Sequence, residues 1–194
     1  MKMPFLSSIV LMLSSCMHSQ NNISATQQTA LPSLTEFKLT STAFKQGDTI
    51  PALYTCDSAN ISPALHWNKA PGRVASYALI MDDPDAPMGT WVHWVVYNIP
   101  STDSIIQQHF PTDSIISTGI RQGVTSFRTT GYGGPCPPYR MHRYFFKLFA
   151  LDTTFTLPCA TTGEKKLIAA MKGHILAETE LMGKYNRKVR AKNE

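Results

Sequence analysis

A chain of 194 residues with 43% hydrophobic and 16% charged residues has the composition of one globular domain with a short tail. The formal net charge is +5, and no basic stripe with interleaved aromatic residues indicates nucleic-acid binding. The basic residues cluster at the C-terminus, as Lys184, Arg187, Lys188, Arg190 and Lys192. We interpret this run as a solvated tail, with a contact to anionic lipid as the alternative.

The first fifteen residues have the pattern of a bacterial signal peptide. Lys2 precedes a short apolar run over residues 5–13, which is too short to span a bilayer. The run ends in Leu-Ser-Ser followed by Cys16, a pattern similar to the bacterial lipobox, whose cysteine sulfur receives diacylglycerol. We therefore expect an exported protein that is anchored by lipid on Cys16, and Met17 favours the outer membrane, facing the periplasm. An ordinary secretory signal with an incidental cysteine is the alternative.

The polar residues 16–34 predict a flexible tether, followed by a domain over residues 35–188 and a basic tail over residues 189–194. Within the domain, several short stretches predict strands because they are rich in β-branched or aromatic residues and bounded by Pro or Gly. The clearest are residues 36–40, 76–81, 91–99 and 143–151.

Only the C-terminal part of the domain has helical spacing. Thr161 and Glu164 have the Thr-x-x-Glu spacing of a capping box. The apolar residues that follow at helical intervals are Leu167, Ile168, Met171, Ile175 and Leu176. Gly173 predicts a break between two short helices. Strands first and helices last predict a mainly β fold, a two-sheet β-sandwich with short peripheral C-terminal helices.

Three segments contain the residues best suited to chemistry. Residues 82–87 read Asp-Asp-Pro-Asp-Ala-Pro at the end of a predicted strand, where each proline fixes φ and stiffens the chain around the carboxylates. Residues 91–94 read Trp-Val-His-Trp inside the next predicted strand. Residues 131–138 are rich in Gly and Pro, expose backbone N–H groups suited to an anion, and lead into a His-Arg-Tyr sequence at 142–144.

These segments resemble the phosphatidylethanolamine-binding protein family, in its bacterial Raf-kinase-inhibitor-like branch. The resemblance covers nearly all of the chain after about residue 36, and it implies a two-sheet β-sandwich with a small anion pocket at one end. Carried over motif by motif, the implied ligand-binding residues are Asp83, Asp85, His93, Gly134, His142 and Tyr144. A carboxylate beside an imidazole holds one tautomer or favours the protonated form, which suits anion binding. The resemblance also implies a cis peptide bond between Ala86 and Pro87.

The cysteines allow more than one arrangement. With Cys16 lipidated, three thiols remain in a compartment where disulfides persist, and spacing alone does not choose between one bridge and none. The resemblance favours a bridge between Cys56 and Cys136, because both lie in family-matched segments and Cys159 does not.

Other residues in these segments receive structural interpretations or depart from the family pattern. Asp82 is expected in a turn or cap, and Trp91, Trp94 and Tyr97 are expected in the core. The departure is Arg140, which stands where the family usually has glycine, two positions before the pocket histidine.

The predicted function is non-enzymatic binding of a small anion, either phosphate or a phospholipid head group, together with modulation of an unidentified envelope protein. Neither a cofactor nor a metal is expected. Binding should strengthen as the pH falls, because His93 and His142 gain charge and the neighbouring aspartates push their protonation to higher pH. One alternative is an inhibitor of a protease or another enzyme, or a protein-interaction module. Another is a metal-dependent hydrolase, since two Asp and two His side chains can ligate zinc.

Overall fold

The computed structural model describes residues 36–187. The expected signal peptide, the lipidation site Cys16, the whole tether and the basic tail lie outside the described residues. No helix within residues 36–187 is long and apolar enough to cross a membrane.

The described chain is mainly β, as the sequence predicts. In chain order the strands are β1 (Leu39–Ser41), β2 (Leu65–Trp67), β3 (Ser76–Asp83), β4 (Trp91–Pro100), β5 (Ile105–Ile106), β6 (Arg121–Gln122), β7 (His142–Leu151) and β8 (Ile175–Tyr185). One helix, α1 (Glu164–Met171), and two short 3-10 turns, Ala52–Tyr54 and Cys159–Thr161, complete the regular structure. A three-stranded sheet has the order β1-β2-β5, and a five-stranded sheet has the order β6-β4-β3-β7-β8. The strand pairs within both sheets are antiparallel.

The central strand β3 is buried along its whole length. Because side chains alternate along a strand, Leu79 and Met81 join the core that also contains residues of the three-stranded sheet, whereas Ala78 and Ile80 join a second core beside α1. Full burial of such an apolar side chain stabilises the fold by about 1.5–3 kcal/mol. Two cores on opposite faces therefore fix the register of β3, and with it the direction of the two aspartates at its end.

The N-cap of helix α1 lies two residues later than the capping box would place it, at Gly163 and not at Thr161. Thr161 ends a 3-10 turn, and the neighbouring Thr162 hydroxyl donates to the Pro158 carbonyl. The N-cap is Gly163, which has no capping side chain, and the first helical bond runs from Leu167 N–H to its carbonyl at 3.0 Å. The predicted capping box is therefore wrong, because the local 3-10 turn uses both threonines before the helix starts.

The second predicted helix is also wrong, because its residues form β8. Gly173 adopts a φ of +85° after α1 and lets the chain turn back towards β7. From Ala177 onwards β8 pairs residue by residue with β7, and Leu181, Gly183 and Tyr185 are buried on the inner face. The structure thus has one peripheral α-helix where the sequence predicts two.

A disulfide joins Cys56 to Cys136, the pair that the family resemblance favours, with a Cα–Cα distance of 5.4 Å. It fastens the segment after the first 3-10 turn to the glycine- and proline-rich segment 131–138. Cys159 is a buried thiol whose Sγ lies 3.2 Å from the Ser114 carbonyl oxygen.

Candidate functional site

A cavity of about 400 Å³ lies at one end of the five-stranded sheet. Antiparallel pairing brings the last residue of β3, Asp83, beside the first residues of β4 and β7. His142 and Tyr144 are two residues apart on β7 and therefore face the same side. The cavity is lined by Asp83, Ala86, Pro87, Met88, Trp91, His93, Phe127, Cys136, Pro137, Pro138, His142 and Tyr144. Four of the six residues that the family resemblance implies are brought together here.

The polar floor of the cavity is built on a carboxylate–imidazole pair. Asp83 Oδ2 lies 2.7 Å from His142 Nδ1, and both side chains are buried. Asp83 Oδ1 accepts the backbone N–H of Asp85 at 2.9 Å, so the turn around Pro84 holds the carboxylate in place. The Asp83 carboxylate accepts the Nδ1 proton of His142 and fixes the ring tautomer, which leaves Nε2 as the atom available to a ligand.

Two buried polar atoms at this site have no hydrogen-bond partner among the described residues. They are His142 Nε2 and the hydroxyl oxygen of Tyr144, although this hydroxyl lies close enough to Asp83 and the Cys136 backbone for both to affect its pKa. Leaving such a group unsatisfied costs about 1–3 kcal/mol, so both atoms are prepared for a partner from outside the protein. Burial, followed by the charge of Asp83, raises the pKa of Tyr144, which keeps its hydroxyl protonated as a donor.

His93 is held differently from His142. Its Nδ1 lies 2.6 Å from the Gly133 carbonyl oxygen, and since a carbonyl only accepts, Nδ1–H is the donor. Its ring meets Tyr144 and Phe127 edge-on, with centroids 5.2 and 5.3 Å away. Burial lowers the pKa of His93, although the Gly133 carbonyl and the charge of Asp83 act in the opposite direction. The charge of Asp83 thus acts on His93 in the expected direction, but desolvation is the larger effect, so the expected net rise in the pKa of His93 is wrong.

The walls and mouth of the cavity are apolar. Trp91 and Phe127 meet edge-on with ring centroids 5.4 Å apart, and Pro137 and Pro138 close another side. Met88 is 96% exposed at the mouth. The sequence places Trp91 in the core, but it is only half-buried and faces the cavity. Phe127 lies in a loop outside every motif, so no sequence signal marks it.

Asp85 and Gly134, the other two implied residues, do not line the cavity. Asp85 accepts two hydrogen bonds from the Arg143 guanidinium, at 2.8 and 2.7 Å, which lower its pKa to about 2. The N–H of Gly134 donates to Asn60 Oδ1 at 2.8 Å. A Cβ on Gly134 would lie 2.4 Å from that oxygen and from the Tyr54 carbonyl oxygen, so the close approach of these segments requires glycine. Both residues therefore make structural contacts within the protein next to the cavity and do not face a ligand.

The structure also shows the environment of Asp82, the isomer of the Ala86–Pro87 peptide bond and the conformation of Arg140. Asp82 is buried within β3 and forms an ion pair with Lys147, so its placement in a turn or cap is wrong. The peptide bond between Ala86 and Pro87 is trans, the lower-energy isomer, and not cis. Arg140 has a φ of +48°, so it keeps the left-handed conformation that glycine adopts readily, and its guanidinium lies 5.5 Å from the Tyr139 ring centre.

Across residues 36–187, no cluster of three or more His, Cys, Asp and Glu side chains is arranged to hold a metal ion.

Comparison with known proteins identifies the class to which this fold and pocket belong. Residues 40–186 match the phosphatidylethanolamine-binding protein family. A UPF0098 protein of Methanothermobacter thermautotrophicus is 46% identical over 145 residues, which cover 75% of this chain and 95% of the relative. The chain belongs to the phosphatidylethanolamine-binding protein family, and its fold is that of a ligand-binding protein.

Two solved structures have the same fold. A phosphatidylethanolamine-binding protein homologue from Chlamydia trachomatis is 37% identical, with a TM-score of 0.72 over 78% of this chain and 98% of the homologue. Escherichia coli YbcL, described as a new member of the mammalian family, is 31% identical, with a TM-score of 0.74 over 79% of this chain and 99% of YbcL.

Proposed function

We propose that the protein is a non-enzymatic binding protein whose cavity takes a small anionic group, such as phosphate or a phospholipid head group. The observation that carries this proposal is the pair of buried, unpartnered atoms, His142 Nε2 and the Tyr144 hydroxyl, on the floor of the cavity. An anion oxygen that accepts from both would satisfy the two groups at once.

The Asp83–His142 pair explains how such a site tolerates an anion. Since Nδ1–H is committed to Asp83, Nε2 becomes a donor only when the imidazole carries its second proton. The resulting positive charge is balanced by Asp83 and faces the ligand through Nε2–H. A hydrogen bond to a charged group of this kind contributes roughly 1.5–3 kcal/mol. We therefore expect an anion to bind at Nε2 with the Asp83–His142 contact retained.

Binding, and not catalysis, is supported by the side chains around the cavity. The lining contains no serine, threonine or lysine, and its cysteine, Cys136, is held in the disulfide. Within the described lining, no serine, threonine, lysine or free cysteine is therefore available as a nucleophile beside the Asp83–His142 pair. The apolar wall around Trp91 and Phe127 suits a ligand whose anionic group is attached to an apolar body, as in a lipid. The family's name supports the head-group assignment.

Calorimetric titration with phosphorylethanolamine between pH 5 and 8 tests this function. His142→Gln keeps polarity but cannot ionise, so it should weaken binding by about 10- to 100-fold, the equivalent of one charge-assisted hydrogen bond. Asp83→Asn should weaken binding as well, because it removes the carboxylate that holds the His142 ring in place and balances charge on it.

The matched control is His174→Gln. His174 also pairs with an aspartate, at 2.8 Å from Asp152 Oδ1, but it is exposed and does not line the cavity. Its variant should bind like the parent. If His142→Gln and Asp83→Asn also bind like the parent, the proposed anion site is wrong.

A further inference from the structure

The five-stranded sheet has an open edge along part of β8. At the C-terminal end of this strand, Met182 and Lys184 turn their backbone groups outwards and bond to the segment 46–50. Backbone direction alternates along a strand, so Glu178 and Glu180 point their N–H and C=O groups to the same side. No described residue hydrogen-bonds to these outward groups. Such a row of unpaired backbone groups is a template for an added strand.

The two glutamate side chains on this edge have no oppositely charged partner among residues 36–187. Both are exposed, and neither forms an ion pair with any residue in the described range. Lys147 is the cross-strand neighbour of Glu180, but its ammonium group is paired with Asp82. A second copy of β8 added here would bring glutamates next to glutamates, which destabilises cross-strand pairing. The negative charge of the two glutamates therefore favours pairing with a strand that carries cationic side chains over pairing with β8 of a second copy of the protein.

A groove lies on each face of the sheet beside this edge. On the inner face, a groove of about 430 Å³ includes Thr179 and has a buried apolar lining of Phe37, Leu39, Phe44 and Leu181, with the exposed side chains of Glu36, Lys38 and Lys45 at its rim. On the outer face, a groove of about 360 Å³ is bounded by Lys147, Phe149, Glu178 and Glu180. Because side chains of an added strand alternate between faces, every second residue would enter the apolar groove and the others would lie beside the glutamates.

We propose that the edge of β8 at residues 178–180 binds an extended segment of a partner protein in which apolar and cationic residues alternate. The outward backbone groups of Glu178 and Glu180 bind its main chain. The groove beneath Leu181 takes its apolar side chains, and the two carboxylates take its lysine or arginine side chains. This surface is separate from the anion cavity and does not depend on it.

The probe is a blocked seven-residue peptide of alternating lysine and valine, with an alternating glutamate–valine peptide as its counterpart. The lysine peptide should bind, and amide hydrogen exchange at Glu178 and Glu180 should slow at least tenfold in the complex. The glutamate peptide should bind at least tenfold more weakly. Equal binding of the two peptides, or binding without protection of these two amides, would overturn the proposal.

Two variants distinguish the contribution of backbone hydrogen bonds to peptide binding from the contribution of the glutamate charges. Glu178→Pro removes an outward N–H without touching the β7–β8 hydrogen bonds, so it should weaken binding of the lysine peptide about tenfold. The double variant E178K/E180K keeps every backbone group and should reverse the preference in favour of the glutamate peptide. If the charge-swapped protein keeps its preference for the lysine peptide, the proposal fails even where the proline variant does not fold. His142→Gln should bind the lysine peptide normally, which distinguishes this surface from the cavity.

Discussion

Two histidines line one cavity and are held by different kinds of acceptor. His142 is bonded to a carboxylate, whose negative charge compensates a second proton on the ring. His93 is bonded to a neutral carbonyl and surrounded by aromatic rings, and burial lowers its pKa. The two rings therefore have different roles: His142 supplies charge to a ligand, and His93 packs as a neutral side chain with Nε2 as an acceptor.

The lowered pKa of His93 predicts a contribution to acid sensitivity of the fold. In the unfolded chain an imidazole protonates below about pH 6.5, whereas buried His93 stays neutral to lower pH. The unfolded state thus binds more protons, and the native state loses stability as the pH falls from about 6.5 towards the lowered native value. For one proton the slope approaches 1.4 kcal/mol per pH unit, about the limit for a single group.

Urea unfolding of the ligand-free protein between pH 7.5 and 5 checks this prediction. His93→Gln should have a shallower loss of unfolding free energy with acidification than the parent. Identical pH dependence of the two proteins would show that His93 does not remain neutral in the native state.

The polar residues of the site could be predicted from the sequence because they lie in short motifs, whereas the role of each could not. Asp83, His93, His142 and Tyr144 meet at one cavity, but the sequence does not show that Asp85 pairs with Arg143. That contact depends on the register between distant segments. Phe127 was missed for the same reason, since only the folded chain brings its loop to the cavity.

At the scale of secondary-structure elements, predictions from local sequence patterns were wrong where pairing between distant strands determines the structure. The strands predicted at residues 76–81, 91–99 and 143–151 formed, because propensity and burial agree there, whereas the strand predicted at residues 36–40 is the shorter Leu39–Ser41. Ile175 and Leu176 continue the helical spacing of α1, so the sequence predicts a second short helix where the structure begins β8. The alternation of exposed Glu178 and Glu180 with buried Leu181 and Gly183 was the available signal for a strand. Pairing with β7 then outweighs any local helical preference.

The disulfide gives a second element-scale prediction. Cys56 and Cys136 are 80 residues apart, and closing a loop of this length in the unfolded chain stabilises the native state by about 4 kcal/mol in the chain-entropy account. The double variant C56S/C136S should lose about that much unfolding free energy in urea titration. Dithiothreitol should destabilise the parent and leave the variant unchanged. Equal stability of oxidised parent and variant would contradict the prediction.

On the scale of the whole molecule, we propose that the domain is exported and anchored to the envelope by lipid on Cys16, facing the periplasm. The support is the apolar run and the lipobox-like sequence before Cys16. An oxidising compartment also suits a disulfide that closes a long loop. A tethered domain would hold its anion cavity near lipid head groups and place the β8 edge within reach of envelope proteins.

Metabolic labelling with radioactive palmitate tests the anchor. The parent should incorporate label and partition with membranes, because the thioether needs the Cys16 sulfur. Cys16→Ser should remain unlabelled, and Cys159→Ser, which alters a buried thiol, should label like the parent. Undiminished label in Cys16→Ser would rule out lipidation at this residue.

The central claim is that an anion satisfies the two unpartnered groups on the floor of the cavity. A crystal structure of the protein with phosphorylethanolamine, grown near pH 6, tests it most directly. The account predicts phosphate oxygens within about 3.2 Å of both His142 Nε2 and the Tyr144 hydroxyl, with the Asp83–His142 contact retained. Phosphate bound elsewhere, or a cavity in which Nε2 and the hydroxyl remain without an anionic partner at saturating ligand, would contradict it.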